Sequence, residues 1–281
     1  MVAELLDAEV ELVPIRTSGD APSPHPPAED KSRFVKEIED ALLREEVDLA
    51  VHSAKDVPGE LPDGLAIVGV PARADARDSL CGAPSLDDVA EGAVVGTSSL
   101  RRRAQLLALR PKLEVRDLRG NVDTRLRRLA DGDFDAIVLA SAGLERLGRG
   151  GEGQPLAESE LVPAAGQGCL ALEARAGDER VAELAGALTD DDALRALTAE
   201  RAVVVELDAT CRTPVAAHAV AGAGGELRLT AFVGLPDGSQ WIRDELRGDA
   251  ADPAALGREV ARRLLAAGAG DVLARADGAA A

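Results

Sequence analysis

The sequence predicts an α/β protein, and two recurring kinds of stretch support that reading. Short apolar runs at 48–52, 65–70, 93–96 and 136–140, bounded by turn residues or charges, have the pattern of buried strands. Helical stretches fall between them: Phe34, Ile38 and Leu42 recur at every fourth position on one face of a helix predicted over 31–46. Strands alternating with helices in this way imply parallel sheet.

Taken in order, residues 1–6 read as the last turns of a helix, and 10–16 alternate as a strand whose Pro14 favours an edge. The Pro-rich stretch 21–30 reads as a surface loop. After the strands at 48–52 and 65–70, residues 71–77 form a crossover between units. A strand at 93–96 leads through Thr97-Ser98-Ser99 into a helix over 100–109. A short strand at 113–115 and a helix around 124–130 precede the strand at 136–140. The glycine-rich stretch 163–168 reads as a return crossover or hinge. A helix over 190–206 with an acidic start is followed by a loop at 208–214. Strands at 227–235 and 240–246 flank Pro236-Asp237-Gly238-Ser239, a hairpin signature. Asp252-Pro253 opens the last expected helix, Gly268 closes it, and 278–281 should fray.

At 281 residues the chain has room for one large domain or two to three smaller ones. Its longest apolar runs fall short of a membrane span, and no basic-then-apolar leader opens it, so the expected compartment is the cytoplasm. Cys81, Cys169 and Cys211 are far apart, which suggests neither a disulfide frame nor a zinc site, and no metal is expected. The net charge of −18, with lysine only at Lys31, Lys36, Lys55 and Lys112, argues against general nucleic-acid binding. Such an acidic surface suits high salt, where screening relieves self-repulsion, although codon bias toward Ala, Arg, Gly and Asp gives a similar composition.

Chemistry concentrates in three places. The strand at 48–52 ends in Ser53-Ala54-Lys55-Asp56, and Pro58 then stops any ladder. A carboxylate there can hold a cation or pass a proton. Taken alone, the stretch is better explained by an Asp capping the next turn beside a surface Lys. Residues 101–128 carry ten Lys or Arg against three acids, a reversal of the overall charge. Arg101 and Arg102 follow a predicted helix start rich in hydroxyls, and Arg119 and Arg125 flank a second strand-to-helix turn. Both are arrangements that bind anions. Arg110, Arg127 and Arg128 fit solvated helix faces, and the lack of a GxxxxGK[ST] loop argues against a nucleoside triphosphate. Finally, Cys211 sits in a loop beside Arg212, where a cation favours thiolate, though a lone Cys is more often a small buried residue.

Several motifs occur together in order: His52-Ser53-Ala54-Lys55-Asp56-Val57-Pro58, Gly96-Thr97-Ser98-Ser99-Leu100-Arg101-Arg102, Leu118-Arg119-Gly120-Asn121-Val122-Asp123-Thr124-Arg125-Leu126 and Thr198-Ala199-Glu200-Arg201, with Cys211 beyond them. In this the chain closely resembles the hydroxymethylbilane synthase (porphobilinogen deaminase) family, over nearly its whole length. The resemblance implies two lobes of type 2 periplasmic-binding-protein character and a small C-terminal α/β domain. The expected divisions are 1–71 with 168–187, then 75–164, then 190–281. It implies head-to-tail condensation of four porphobilinogens with release of ammonia, on a dipyrromethane cofactor joined to Cys211, and a monomeric, cytoplasmic enzyme acting without nucleic acid or membrane. Asp56 would assist loss of ammonia and stabilise the cationic azafulvene. Lys55, Ser53, Asp20, Thr97, Ser99, Arg101, Arg102 and Gly168 would lie at the cofactor; Arg119, Arg125, Arg146, Phe34 and Gln167 would meet substrate. A growing chain of acetate- and propionate-bearing pyrroles gives the arginine-rich segment a cause. Two features depart from the family. Its opening strand and helix, with a Thr-Arg-x-Ser-x-Leu-Ala-like motif, have no counterpart before Met1. The usually glycine-rich loop before Phe34 reads Glu29-Asp30-Lys31-Ser32-Arg33. The rival readings are a non-catalytic two-lobed module that binds a polycarboxylate and, more weakly, a hydrolase built on Cys211.

Overall fold

A computed structural model describes residues 1–15, 17, 32–210 and 213–280, with the side chains of 32–34, 279 and 280 left aside. Its elements in chain order are α1 (Val2–Leu5), α2 (Ser32–Leu43), β1 (Ala50–Ser53), β2 (Leu65–Gly69), β3 (Asp78–Cys81), β4 (Val94–Gly96), α3 (Leu100–Leu109), β5 (Glu114–Arg116), α4 (Val122–Ala130) and β6 (Ala136–Ala140). There follow α5 (Ser141–Arg146), β7 (Gln154–Pro155), β8 (Leu170–Arg175), α6 (Glu179–Gly186), α7 (Asp191–Glu206), β9 (Val215–Ala221), β10 (Glu226–Gly234), β11 (Trp241–Asp249), α8 (Pro253–Ala266) and α9 (Ala269–Ala280).

The described strands form three sheets. The first has the order β1-β8-β2, and both pairings are antiparallel. The second has the order β5-β4-β6-β3-β7, parallel where β4 meets β5 and β6 and antiparallel where β3 meets β6 and β7. The third, β11-β10-β9, is an antiparallel meander. The expected parallel sheet is thus confined to β5-β4-β6. The central strand of the first sheet, β8, arrives through the second crossover and runs against both neighbours.

The second sheet is covered on both faces, as its near-continuous apolar strands require. Leu80, Val95, Leu106 and Val138 pack on one side; Leu118, Phe134, Ile137 and Leu144 pack on the other. The third sheet packs one face on helices, while Ala216 and Phe232 on the other meet Ala104 of α3 and Val162. Leu227, Leu229 and Val233 meet Ala199 and Val203 of α7 and Val260 and Leu264 of α8.

The helix starts follow their caps. Ser99, Asn121, Asp190 and Asp252 each accept a hydrogen bond from a backbone amide of the following turn. The helix over 100–109 and the hairpin at Pro236 stand where expected. Three expectations fail. Among the described residues no ladder reaches the predicted strand at 10–16, and Leu12 is 79% exposed. Alternation alone does not make a strand without a neighbour to pair with, and Pro14 offers no amide. Gly268 (φ 99°) ends α8, but α9 follows it and runs to Ala280 where fraying was expected. In addition, β3, β7, β8, β9, α5 and α6 were not anticipated. The loop expected at 21–30 lies outside the described residues.

Candidate active site

β1 ends in a single turn of 3-10 helix, Ala54–Asp56, so Ser53, Lys55 and Asp56 share one half-buried corner. The turn is fastened from two sides. The Ala54 amide donates to the Cys169 carbonyl at 3.1 Å. Arg201 of α7 donates to the Pro58 and Gly59 carbonyls at 2.7 and 2.8 Å. A Cβ on Gly166, whose φ is +72°, would stand 2.9 Å from both the Ala54 carbonyl carbon and the Lys55 nitrogen. Gly166→Ala should therefore cost about 1–3 kcal/mol through the strained backbone alone, and shift the Lys55–Asp56 turn. Thermal melts check the cost, and an unchanged Tm would refute this close packing.

Beneath the turn lies a buried pair absent from the sequence reading. His52 Nε2 is 2.9 Å from Glu173 Oε2, with both side chains inaccessible. Glu39 of α2 is buried nearby; burial, then the Glu173 charge, raises its pKa.

At the start of α3, Thr97 Oγ1 accepts from the Ser99 amide at 3.2 Å, and Ser98 donates to the Leu118 carbonyl at 3.0 Å. Arg101 and Arg102, expected as anion forks, converge on Asp78 at the head of β3. Arg101 reaches its carboxylate at 2.7 and 3.1 Å, and Arg102 at 2.9 Å through Nε. Further donation to the Val162 and Val138 carbonyls leaves the two arginines 5% and 6% exposed. The pairing has a physical reason. A fully buried carboxylate needs compensation, and these guanidinium groups supply it. Burial by itself would raise the Asp78 pKa, but the charges of Arg101 and Arg102 outweigh burial and hold it well below the usual carboxylate range.

Gln167, expected at substrate, is 1% exposed and also serves this centre. Its Nε2 donates to the Ala76 carbonyl at 2.7 Å and to Asp78 at 3.0 Å, tying the two crossovers together. Gly168 (φ +89°) passes so close to the first crossover that a Cβ would lie 2.5 Å from the Ala74 carbonyl oxygen. The Gly168 carbonyl in turn accepts from Arg146, at the end of α5, at 2.7 Å. The second crossover therefore touches the Asp56 turn, Arg146 and the Asp78 centre.

Arg119 is exposed, with Asp117 at 3.7 Å, and Arg125 donates to the Gly120 carbonyl at 2.6 Å. Arg127 is exposed as expected. Arg110 is not a solvated residue: it donates to the Leu86 and Val89 carbonyls at 2.6 and 2.7 Å. Arg128 lies over the Phe134 ring, 5.0 Å from its centroid. Asp20 and Cys211 lie outside the described residues, as does the Phe34 side chain. Burial pushes the thiols of Cys81 and Cys169 up to about 11, away from thiolate chemistry.

Sequence reasoning also missed a second buried centre. Glu200 of α7 accepts from Arg73 at 2.6 and 3.2 Å, from the Gly166 amide at 2.7 Å and from the Ala219 amide at 2.8 Å. Burial opposes its ionisation, yet Arg73 and His218 outweigh burial and bring its pKa down to about 2. The signal was present in the Thr198-Ala199-Glu200-Arg201 motif, which marks both anchors without revealing their partners.

A strand-end carboxylate beside a lysine, with Arg119 and Arg125 at the β5–α4 turn of the neighbouring unit and two crossovers between, marks an α/β protein with the side chains to hold a polyanion. The chain belongs to the porphobilinogen deaminase family. Its residues 1–183 match the dipyromethane cofactor binding domain of porphobilinogen deaminase, and 194–266 match the C-terminal domain. It is 50% identical to the porphobilinogen deaminase of Brevibacillus brevis over 87% of this chain and 79% of that one. With the Thermus thermophilus porphobilinogen deaminase it shares 48% identity over 96% of this chain and 89% of the relative. Among solved structures, an ancestral cationic amino acid solute-binding protein overlays at a TM-score of 0.35 and 15% identity, covering 54% of this chain and 66% of that one. The activity is accordingly that of a hydroxymethylbilane synthase, a transferase joining four porphobilinogens head to tail with release of ammonia, and the cofactor is dipyrromethane. The non-catalytic binding module is not favoured.

Proposed function

We propose that Asp56 is the acid–base residue of this transferase and that Cys211 carries the dipyrromethane by a thioether. The observation that carries the reading is the Ser53–Asp56 corner, packed on the second crossover and bordered by Arg146 through Gly168. The donor set suits a group with several carboxylates: Lys55, Arg119, Arg125 and Arg146 bring charge, while Ser53, Thr97 and Ser99 bring hydroxyls. When bound, the dipyrromethane supplies the primer on which the product chain grows. Lys55 and the hydroxyls hold its carboxylates, and Arg119, Arg125 and Arg146 orient incoming porphobilinogen. Asp56 gives up and takes back the proton at each coupling, its negative charge offsetting positive charge that develops only in the transition state. Arg101 and Arg102 act beneath this surface, holding the start of α3 through Asp78. Asp20 and Phe34 border the cofactor and substrate.

The units follow the three sheets: 1–71 with 168–187, then 75–164, then 190–281. The first two form lobes of periplasmic-binding-protein type, and the third carries the attachment loop. The protein works as a cytoplasmic monomer on a small-molecule substrate, without nucleic acid or membrane. None of the described helices is long and apolar enough to cross a membrane. The charge of −18 fits a high-salt environment, and folding that is unaffected by removing salt would refute that part.

The test is the intact mass of protein purified in high salt. The expected mass exceeds that of the chain by two linked pyrrole units, and the excess is lost in Cys211→Ala. An excess that survives Cys211→Ala would move the attachment elsewhere, and a bare-chain mass would overturn cofactor self-assembly in this chain.

A further inference from the structure

His218, on β9, stands where the third sheet's unit meets the second-sheet unit and the first crossover. Its Nε2 lies 3.0 Å from Glu158 Oε1, in the segment after β7. Its Nδ1 lies 3.3 Å from Glu200 Oε1, within ion-pair distance though off the line of a hydrogen bond. The ring is 5% exposed and Glu200 is fully buried. Glu158 is itself held to the third sheet, with Arg228 of β10 at 3.6 Å, and the Glu158 and Ser159 carbonyls accept from Arg243 of β11. Glu200, on the other side, binds the two crossovers through Arg73 and the Gly166 amide. No other described histidine has a carboxylate on both ring nitrogens.

We propose that His218 is a positioning residue. Protonated, it clasps the second-sheet unit and both crossovers to the unit that carries Cys211; neutral, it releases them. A neutral imidazole has one donor, so it can satisfy only one of the two carboxylates, whereas the imidazolium donates to both. Deprotonation therefore leaves Glu158 or Glu200 facing a lone pair. The β9 strand that bears His218 continues directly from the proposed attachment loop, and Glu200 contacts both that strand, at Ala219, and the crossover at Gly166. Loosening the clasp thus lets the cofactor loop shift relative to the Asp56 corner. This catalytic consequence rests on the deaminase reading; the clasp itself does not.

The charged groups around the ring are Glu200 from α7, Glu158 after β7, Arg73 and Asp75 from the first crossover, and the Arg228–Glu245 pair from β10 and β11. Burial favours the neutral ring, but the bond to Glu158 and the adjacent Glu200 carboxylate outweigh it and raise the His218 pKa. With a raised folded value, the clasp is complete below the ordinary histidine value and opens as pH rises through the higher folded one.

The experiment compares the wild-type holoprotein with His218→Gln and Glu158→Gln between about pH 6 and pH 9, the range that brackets a raised histidine. Two readouts are taken: steady-state kinetics with porphobilinogen, and hydrogen exchange at the Gly166 and Ala219 amides that donate to Glu200. In the wild type, the KM should rise about fivefold across the transition with a smaller change in kcat, the scale of a weak coupling between sites. Exchange at both amides, corrected for its intrinsic rise with pH, should accelerate in step. Both variants should be flat in pH, close to the wild-type high-pH values, with unchanged cofactor mass. Coincident exchange profiles for wild type and His218→Gln would overturn the clasp, whether or not the preparation turns over. Coincident KM profiles with divergent exchange would overturn its positioning role. If His218→Gln fails to fold, the decision falls to Glu158→Gln, whose altered side chain lies at the surface end of the clasp.

Discussion

Asp56→Asn should lower kcat by about 100-fold or more, the range seen when one preorganised group is removed from developing transition-state charge, while KM changes little. The reason is geometric. Asp56 sits in a turn whose backbone is pinned by Cys169 and Arg201, so an isosteric amide leaves the fold in place. What it removes is the negative charge and the ability to cycle a proton. On the proposed reading, ground-state binding resides mainly in Lys55 and the arginines, so bound pyrrole should survive. Single-turnover assays combined with intact mass separate the two. The expected outcome is a full cofactor mass with stalled elongation, and turnover equal to wild type would eliminate Asp56 as the acid–base group. Loss of the cofactor mass itself would instead move Asp56 from catalysis to cofactor assembly.

What the sequence revealed was local. The helix Leu100–Leu109 was legible because Thr97-Ser98-Ser99 supplies its cap. The β10–β11 hairpin was legible because Pro236-Asp237-Gly238-Ser239 can do little but turn. The Ser53–Asp56 corner was legible because Pro58 ends the strand that delivers it. What stayed hidden depends on partners distant in the chain. β3 opens with Asp78, a residue that argues against a buried strand until Arg101 and Arg102, more than twenty positions on, are seen to neutralise it. β8 carries the fully buried Glu173, whose partner His52 lies on the neighbouring strand. The same arginine-rich stretch supplies exposed Arg119, carbonyl-bound Arg110 and buried Arg101. Composition cannot sort these roles, because each is set by what the fold places opposite the guanidinium group.

Asp78→Asn tests the largest of these hidden terms. The carboxylate accepts from Arg101, Arg102 and Gln167 with no exposure to solvent. An amide in its place removes the charge and turns a donor toward guanidinium groups that can only donate. Breaking a buried ion pair from one side typically costs about 3–5 kcal/mol, and at about 2–4 °C per kcal/mol in a chain this long the Tm should fall by roughly 10 °C. The sign with pH is also fixed. The folded pKa is depressed, so the Asp78 contribution is present above the usual aspartate value and is lost only as pH falls through the much lower folded value. Melts followed down in pH should therefore show wild type and variant converging only under strongly acid conditions. A Tm within a degree of wild type at neutral pH would refute the hub and return Arg101 and Arg102 to direct anion binding.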